Sequence, residues 1–522
     1  MSTWSLDLAG RRGRAARRRR PSPLVLLAIP TVALTLIPLG FIVVSAISTG
    51  ADELWRLLVR PRTGELLSNT ARLTVATILT AGVIGTAAAW AVERTSLPGR
   101  RILHPLLVAP LAVPAFVNSY GWVSLATWAE GFHGALLIVT LSYFPFVYLP
   151  VAASLRGLDP ALEDVARSLG HGPVRVFARV VLPQLRPALL GGCLLVGLHL
   201  LAEFGALQML RFPTFTTAIY DQYKSTFSGP AASGLATVLA VGCLLLLTIE
   251  LRARGHRRYA RVGSGARRDP ERVQLGRATL PVLGAVVALV VLALGVPLGS
   301  IVRWLVVGSS TAFPVGDLVS AAGTTALLAA LAAATATVVA LPIAWLSVRR
   351  PGRWSTMIER STYFGSALPG IVVALALVTV TIRWATPLYQ TTAMLVAAYV
   401  ILFLPRAMVS QRAALAQAPP VLDDVAAALG AGPVARIRRV TLPLIAPGLG
   451  AGAALVFLAV VTELTATLLL SPIGTATLAT KFWSATTSVA YGAAAPYAAL
   501  MVVVSIPATL LLTRRTGGAT AT

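Results

Sequence analysis

Apolar runs of the length needed to cross a bilayer, about 20 helical residues, recur from one end of this chain to the other, separated by short polar turns. Taken as spans they cover 24–48, 70–92, 103–126, 134–156, 186–210 and 233–251, then 279–302, 322–347, 361–384, 392–414, 447–470 and 493–513. They fall in two sets of six about a long polar interruption rich in Arg, Gly and Ser. The pattern predicts an all-α polytopic membrane protein with about twelve transmembrane helices in two homologous six-helix halves. The expected organisation is a basic leader 1–22, a first half 23–251, a linker 252–277, a second half 278–515 and a tail 516–522.

The halves repeat in sequence as well as in hydropathy. Leu162 to Gly170 reads LEDVARSLG and Leu422 to Gly430 reads LDDVAAALG. Each continues through Gly-Pro-Val, Arg-Val and Leu-Pro to a further proline, with 430 − 170, 443 − 183 and 447 − 187 all equal to 260. Trp90 and Trp345, and Pro114 and Pro369, repeat at 255. A fixed register over so many Gly and Pro positions marks two copies of one half, fused. Prolines within predicted spans, Pro110, Pro114, Pro145, Pro150, Pro369 and Pro405, cost backbone hydrogen bonds that lipid cannot replace. Interior kinks used in movement and merely tolerated kinks are both open readings.

Composition supports this class: 56% of residues are hydrophobic and 12% charged, with mean hydropathy +0.78. The net charge of +25 is informative through its placement. Arginines gather in the leader, at 94–101, in the repeated loops, in the linker, at 349–350 and at 514–515, whereas 127–133, 306–320 and 385–391 hold no Lys or Arg. The positive-inside rule puts the arginine-rich face and both termini in the cytoplasm. The loop 49–69 is the exception, with Arg56, Arg60 and Arg62 set against Asp52, Glu53 and Glu65. The linker reads as an orientation signal facing lipid headgroups, with no nucleic-acid partner. The first apolar run exceeds the 7–15 residues or so of a signal peptide and reads as a retained helix. Cys193 and Cys243 both lie inside predicted helices, so neither a disulfide framework nor a zinc site is indicated.

An acidic pair at a helix start suits the macrodipole, the following apolar positions form a stripe, and Gly-x-Gly-Pro forces a turn. Two such helices imply a docking surface for a two-fold partner. Glu163, Asp164, Ala166, Gly170, Leu182 and Pro183, with Asp423, Asp424, Ala426, Gly430, Leu442 and Pro443, resemble the cytoplasmic EAA loop of binding-protein-dependent ABC importer permeases. Here the first Ala of that pattern is replaced and the second acid is Asp. The resemblance implies that these loops couple to a separate cytoplasmic ATPase, most simply a homodimer, in a bacterial cytoplasmic membrane, with a substrate-binding protein outside. No cofactor is expected on this chain. A P-loop needs Gly-Lys-Ser/Thr, and the two lysines are Lys224 after Tyr223 and Lys481 after Thr480, so ATP and Mg belong to the partner.

The fused halves and the phrases Ala202 to Gly205, Phe215 to Asp221, Glu463 to Leu470 and Thr477 to Thr480 resemble the iron(III) branch of these permeases. Related permeases for thiamine, sulfate or polyamines share the scaffold, and a secondary transporter is the rival of another class. Glu203 and Glu463, 260 apart, fall within the predicted fifth span of each half, 16 residues beyond Pro187 and Pro447. That is about 24 Å at 1.5 Å per residue. His199 precedes Glu203 by four and is expected on its helical face. Ionisable groups at such depth face partners or an aqueous path, so His199, Glu203 and Glu463 are candidate path residues. The competing reading has the glutamates paired with nearby polar groups or holding helix ends, and His199 bonded to Glu203. The loops near 211–232 and 471–492, with Tyr220, Asp221, Tyr223, Lys224, Lys481 and Trp483, are candidate contacts for the binding protein or interfacial anchors.

Overall fold

The computed structural model describes residues 23–50, 52, 55–56, 59–158, 161–224, 229–254, 272–308 and 313–517. The leader, most of the linker and the last tail residues lie outside the described residues. The first half runs α1 (Pro23–Thr49), α2 (Pro61–Arg94), α3 (Arg100–Val108), α4 (Ala115–Val123), α5 (Gly131–Tyr143), α6 (Pro145–Gly157), α7 (Ala161–Ser168), α8 (Leu182–Ala202), α9 (Gly205–Met209), α10 (Phe215–Lys224) and α11 (Gly229–Arg254). The second runs α12 (Thr279–Val290), α13 (Val296–Val307), α14 (Val315–Arg349), α15 (Arg353–Ala367), α16 (Gly370–Trp384), α17 (Thr392–Gln417), α18 (Pro420–Ala428), α19 (Leu442–Val461), α20 (Thr465–Leu470), α21 (Leu478–Thr487) and α22 (Tyr491–Gly517). From the second helix onward the order repeats, with α17 standing for α5 and α6 together.

Among the described residues nine helices are long and apolar enough to cross a membrane, or ten if the bent pair at α3 and α4 is one span. The all-α polytopic architecture is therefore as expected, but the third and fifth spans of each half are not continuous helices. The predicted span 103–126 bends by 92° between α3 and α4. Val113, with φ −98° and ψ 113°, precedes Pro114, and Leu368, with φ −87° and ψ 139°, precedes Pro369. Proline's Cδ pushes the preceding residue out of helical geometry, so the tighter turn Ala109–Ala112 that continues α3 ends at Val113 and α15 ends at Leu368. The predicted spans 186–210 and 447–470 end at Ala202 and Val461 and resume after short breaks as α9 and α20. Pro150 and Pro405 stay inside their helices, so proline alone does not decide where a helix breaks.

Each half is built on the same triangle: α2, α6 and α8 pack together in the first, α14, α17 and α19 in the second. The opening helices exchange. Helix α1 packs on α14, α15 and α16 of the second half, and its Ala28 and Ile42 belong to a core with Ala332, Leu375 and Ala407. Helix α13 packs on α4 of the first half, where Ser124 and Ser300 share a hydrogen bond of 2.8 Å. The two sequence repeats are thus interlocked in space, and their shared apolar surface makes one body of the described helices.

Candidate coupling loops and translocation site

Helices α7 and α18 sit at the same end of the bundle as the ends of α2 and α14. Each closes in the same way. His171 N–H donates to the Ala166 carbonyl at 3.2 Å and Gly170 N–H to Arg167 at 2.9 Å. Ala431 to Ala426 and Gly430 to Ala427 repeat this, both at 3.0 Å. This crossed pair needs a left-handed residue, supplied by Gly170 at φ 80° and Gly430 at φ 84°. After a short turn from Pro173 or Pro433, five-residue π-helical turns, Phe177–Val181 and Ile437–Thr441, lead into Leu182-Pro183 of α8 and Leu442-Pro443 of α19. Both small helices leave an apolar stripe uncovered: Leu162, Val165 and Leu169 are 43%, 57% and 72% exposed, and Leu422, Val425 and Leu429 are 43%, 50% and 82% exposed.

The acidic residues differ between the copies. Glu163 is buried against Arg94 at the end of α2, 3.0 Å away, with Arg167 3.6 Å distant, while Asp164 pairs with Arg167 at 3.5 Å. In the second copy Asp423 meets Arg436 of the following turn at 3.5 Å. Arg349, the counterpart of Arg94, instead donates to the Ala418 carbonyl at 2.8 Å. The end of α2 is further held by Val273, which exchanges hydrogen bonds with Arg94 and Ser96 at 2.9 and 3.1 Å. An Arg94→Ala variant removes the nearer cation from a buried carboxylate and leaves it the part-exposed Arg167 alone, a loss below the roughly 3–5 kcal/mol of a fully broken buried pair. The expected result is a lower melting temperature than for Arg349→Ala, measured on the purified proteins. Equal melting temperatures would show that the pair carries no weight.

Glu203 and Glu463 lie at the breaks rather than within helices. Glu203 has left the helix, with ψ 120°, so His199 and Glu203 do not share a helical face as the spacing suggested. The carboxylate of Glu203 accepts from Ala206 N–H at 2.9 Å and from the Tyr143 hydroxyl, and its carbonyl accepts from Thr216 at 2.7 Å. Glu463 accepts from Ala466 N–H at 2.9 Å, Thr467 N–H at 3.1 Å and Thr467 hydroxyl at 2.8 Å. Each glutamate therefore caps the short helix after its break, satisfying amides that lipid would leave bare. His199 does not bond Glu203; its Nδ1–H donates to the Leu195 carbonyl at 2.8 Å, and its ring stacks on Phe146 at 4.2 Å between centroids.

The four breaks converge. A Cβ added to Gly205 would stand 2.9 Å from both Leu464 Cδ2 and Phe116 Cβ, and one on Gly370 would stand 3.1 Å from Glu463 Oε1. Glu203 and Glu463, from opposite halves, lie within electrostatic range of each other. Beyond the breaks, away from the small loop helices, an aromatic layer covers this place. Phe204 stacks on Tyr220 at 4.4 Å and on Trp483 at 5.2 Å, and Phe482 meets Phe116 at 5.5 Å and Tyr120 at 5.4 Å. Tyr220 and Trp483 thus turn inward rather than anchoring an interface. Asp221, Lys224 and Lys481 remain at the outer surface, Lys481 3.3 Å from Asp317. Partial burial holds the Asp221 carboxyl above its ordinary range, with Arg62 and a bond to Gln208 pulling the other way.

Among the described residues no three His, Cys, Asp or Glu side chains gather to hold a metal. What the breaks offer instead is two carboxylates from opposite halves whose oxygens are already engaged. Sequence reading missed Tyr143 and Arg406, and it held Phe204 and Thr467 only within phrases resembling the iron(III) permeases, with no role of their own. The signal for Arg406 was available, because it stands 260 residues after Phe146 and is the place where the repeat changes from aromatic to cationic.

A family model described as binding-protein-dependent transport system inner membrane component matches residues 81–259 and again 336–514. The two matches are offset by 255 at both bounds (336 − 81 and 514 − 259), the spacing that relates Trp90 to Trp345. The chain belongs to this family of permeases. It is accordingly an integral inner-membrane transport component with both family units fused in one polypeptide. Among permeases it resembles, the Fe(3+)-transport system permease protein FbpB 2 of Haemophilus influenzae is 38% identical over 499 residues, 94% of this chain and 98% of that protein. The sulfate transport system permease protein CysT of Salmonella typhimurium is 30% identical over 233 residues, 41% of this chain and 84% of that protein. The molybdenum transport system permease protein ModB of Escherichia coli is 29% identical over 182 residues, 31% of this chain and 79% of that permease.

Proposed function

We propose that this permease imports ferric iron, driven by a cytoplasmic ATPase homodimer that docks on α7 and α18 and supplied by a substrate-binding protein at the opposite face. The observation that carries the iron reading is coverage: the iron-transport relative aligns across both halves, the sulfate and molybdenum relatives across about one. ATP and Mg are bound and hydrolysed on the partner, and the arginine-rich loop face is cytoplasmic.

The coupling residues are Glu163, Asp164, Ala166, Gly170, Leu182, Pro183 and their counterparts Asp423, Asp424, Ala426, Gly430, Leu442 and Pro443. Closure of the ATPase pair draws α7 and α18 together. Helices α8 and α19 run from these loops to the glutamate breaks, a reach of about 30 Å for twenty helical residues at 1.5 Å each, so a tilt at the loop end moves Glu203 and Glu463. The aromatic pair Phe204 and Trp483 is the outer gate, and the carboxylates below it give passing iron oxygen contacts weak enough to release.

Reconstitution in proteoliposomes with the ATPase and binding protein tests the reading. Ferric-loaded binding protein is expected to stimulate ATP hydrolysis and fill the vesicles with iron. Stimulation by sulfate-loaded binding protein, with no response to iron, would overturn it.

A further inference from the structure

The half-buried arginine of α17 has a place in this path that the coupling loops and glutamates do not explain. Arg406 belongs to the second half, yet it acts electrostatically on His199 of the first. Its own counterpart in the first half, Phe146, is the residue stacked on that histidine. Arg406 and Phe146, equivalent positions of the two halves, thus both approach His199, the phenylalanine by ring contact and the arginine through its charge. They sit about one helical turn nearer the coupling loops than Glu203. A Cβ added to Gly370 would stand 3.1 Å from Glu463 Oε1 and 3.8 Å from Leu402 Cδ1, so Leu402, one helical turn before Arg406 on α17, borders the glutamate break.

The guanidinium carbon lies over the Phe403 ring at 5.0 Å. Among the described residues no carboxylate forms an ion pair with Arg406, and the side chain remains partly accessible although protein surrounds it. A charge at membrane depth without a counter-ion is costly and faces an aqueous path. A guanidinium is always charged and presents a planar fork matched to two oxygens of an oxyanion. A bare trivalent cation would be repelled on meeting it. A ferric ion carrying anionic oxygen ligands would instead present metal to Glu203 and Glu463 and oxygen to Arg406.

We propose that Arg406 receives the anionic oxygens of the cargo, so that iron crosses as a ferric oxyanion complex rather than as the bare ion. This inference rests on the ferric reading above. The proposed contact is non-covalent, and iron keeps its oxidation state throughout.

The complete transporter in proteoliposomes, given radiolabelled iron with either radiolabelled phosphate or radiolabelled citrate, tests both ideas separately. One of the two anions is expected to enter in fixed ratio to iron. The Arg406→Gln variant should lose at least about tenfold in uptake of both labels, the scale of one charge-assisted hydrogen bond, while Arg406→Lys retains more of it. Iron entering wild-type vesicles with neither anion, or wild-type uptake by Arg406→Gln, overturns the proposal and leaves the ferric reading intact. An anion entering without iron supports the Arg406 contact and overturns the ferric reading. If the Gln variant does not fold, the label ratio in the wild type still decides.

Discussion

Replacing Leu169 and Leu429 together with glutamate is expected to abolish capture of the ATPase while leaving the permease folded. These two side chains end the uncovered stripes of α7 and α18 at 72% and 82% exposure, so the chain's own core loses nothing when they change. Covering a leucine contributes about 1.5–3 kcal/mol; losing two lowers affinity on the order of a thousandfold, and a carboxylate in their place adds desolvation cost. Each single substitution should show roughly half the effect in free energy, because the copies dock on equivalent surfaces of a two-fold partner. Titration of the detergent-solubilised permease with the ATPase subunit reads this directly. Wild-type affinity in the double variant would place the coupling surface elsewhere.

The second large effect is expected at the glutamate breaks. Glu463→Ala strands Ala466 N–H and Thr467 N–H, which donate to the carboxylate, while the Thr467 hydroxyl keeps the Glu463 carbonyl and the Tyr399 hydroxyl. An unmade buried hydrogen bond costs about 1–3 kcal/mol, so the variant should melt several degrees lower or fail to accumulate. Glu463→Gln keeps one acceptor oxygen and should lose less than half as much stability. Its iron uptake should nevertheless fall by about tenfold or more, because an amide removes the charge that meets a cation. Thermal unfolding and uptake, measured on both variants, separate the capping role from the transport role. A Gln variant that transports at the wild-type rate would leave Glu463 as a cap alone, and Glu203→Gln, which keeps an acceptor for Ala206 N–H, gives the same comparison in the first half.

Much of this was legible from residue order. The loops announce themselves because Gly170 and Gly430 must adopt a left-handed conformation and because acidic, apolar and proline positions recur at one spacing. The equivalence of Glu203 and Glu463 followed from the same register. Their surroundings did not. Twenty apolar residues look alike whether the helix runs through or stops, and the spacing of His199 and Glu203 suggested a shared face only on the premise that α8 continues past Ala202. Pro114 and Pro369 stand at helix breaks while Pro150 and Pro405 stay inside helices, a difference their residue type does not carry.

The sequence by itself determined the class of the molecule: duplicated halves, apolar spans, an arginine-rich loop face and paired coupling helices, because hydropathy, charge and backbone sterics act locally and repeat with the chain. Tertiary structure alone decided that α1 and α13 cross to the opposite halves, that four helix breaks meet, and that Phe204 closes on Trp483. It also decided that Arg406 of one half lies within electrostatic range of His199 of the other. Those relations join positions hundreds of residues apart, and they depend on which apolar faces cover one another and which bare amides find an acceptor.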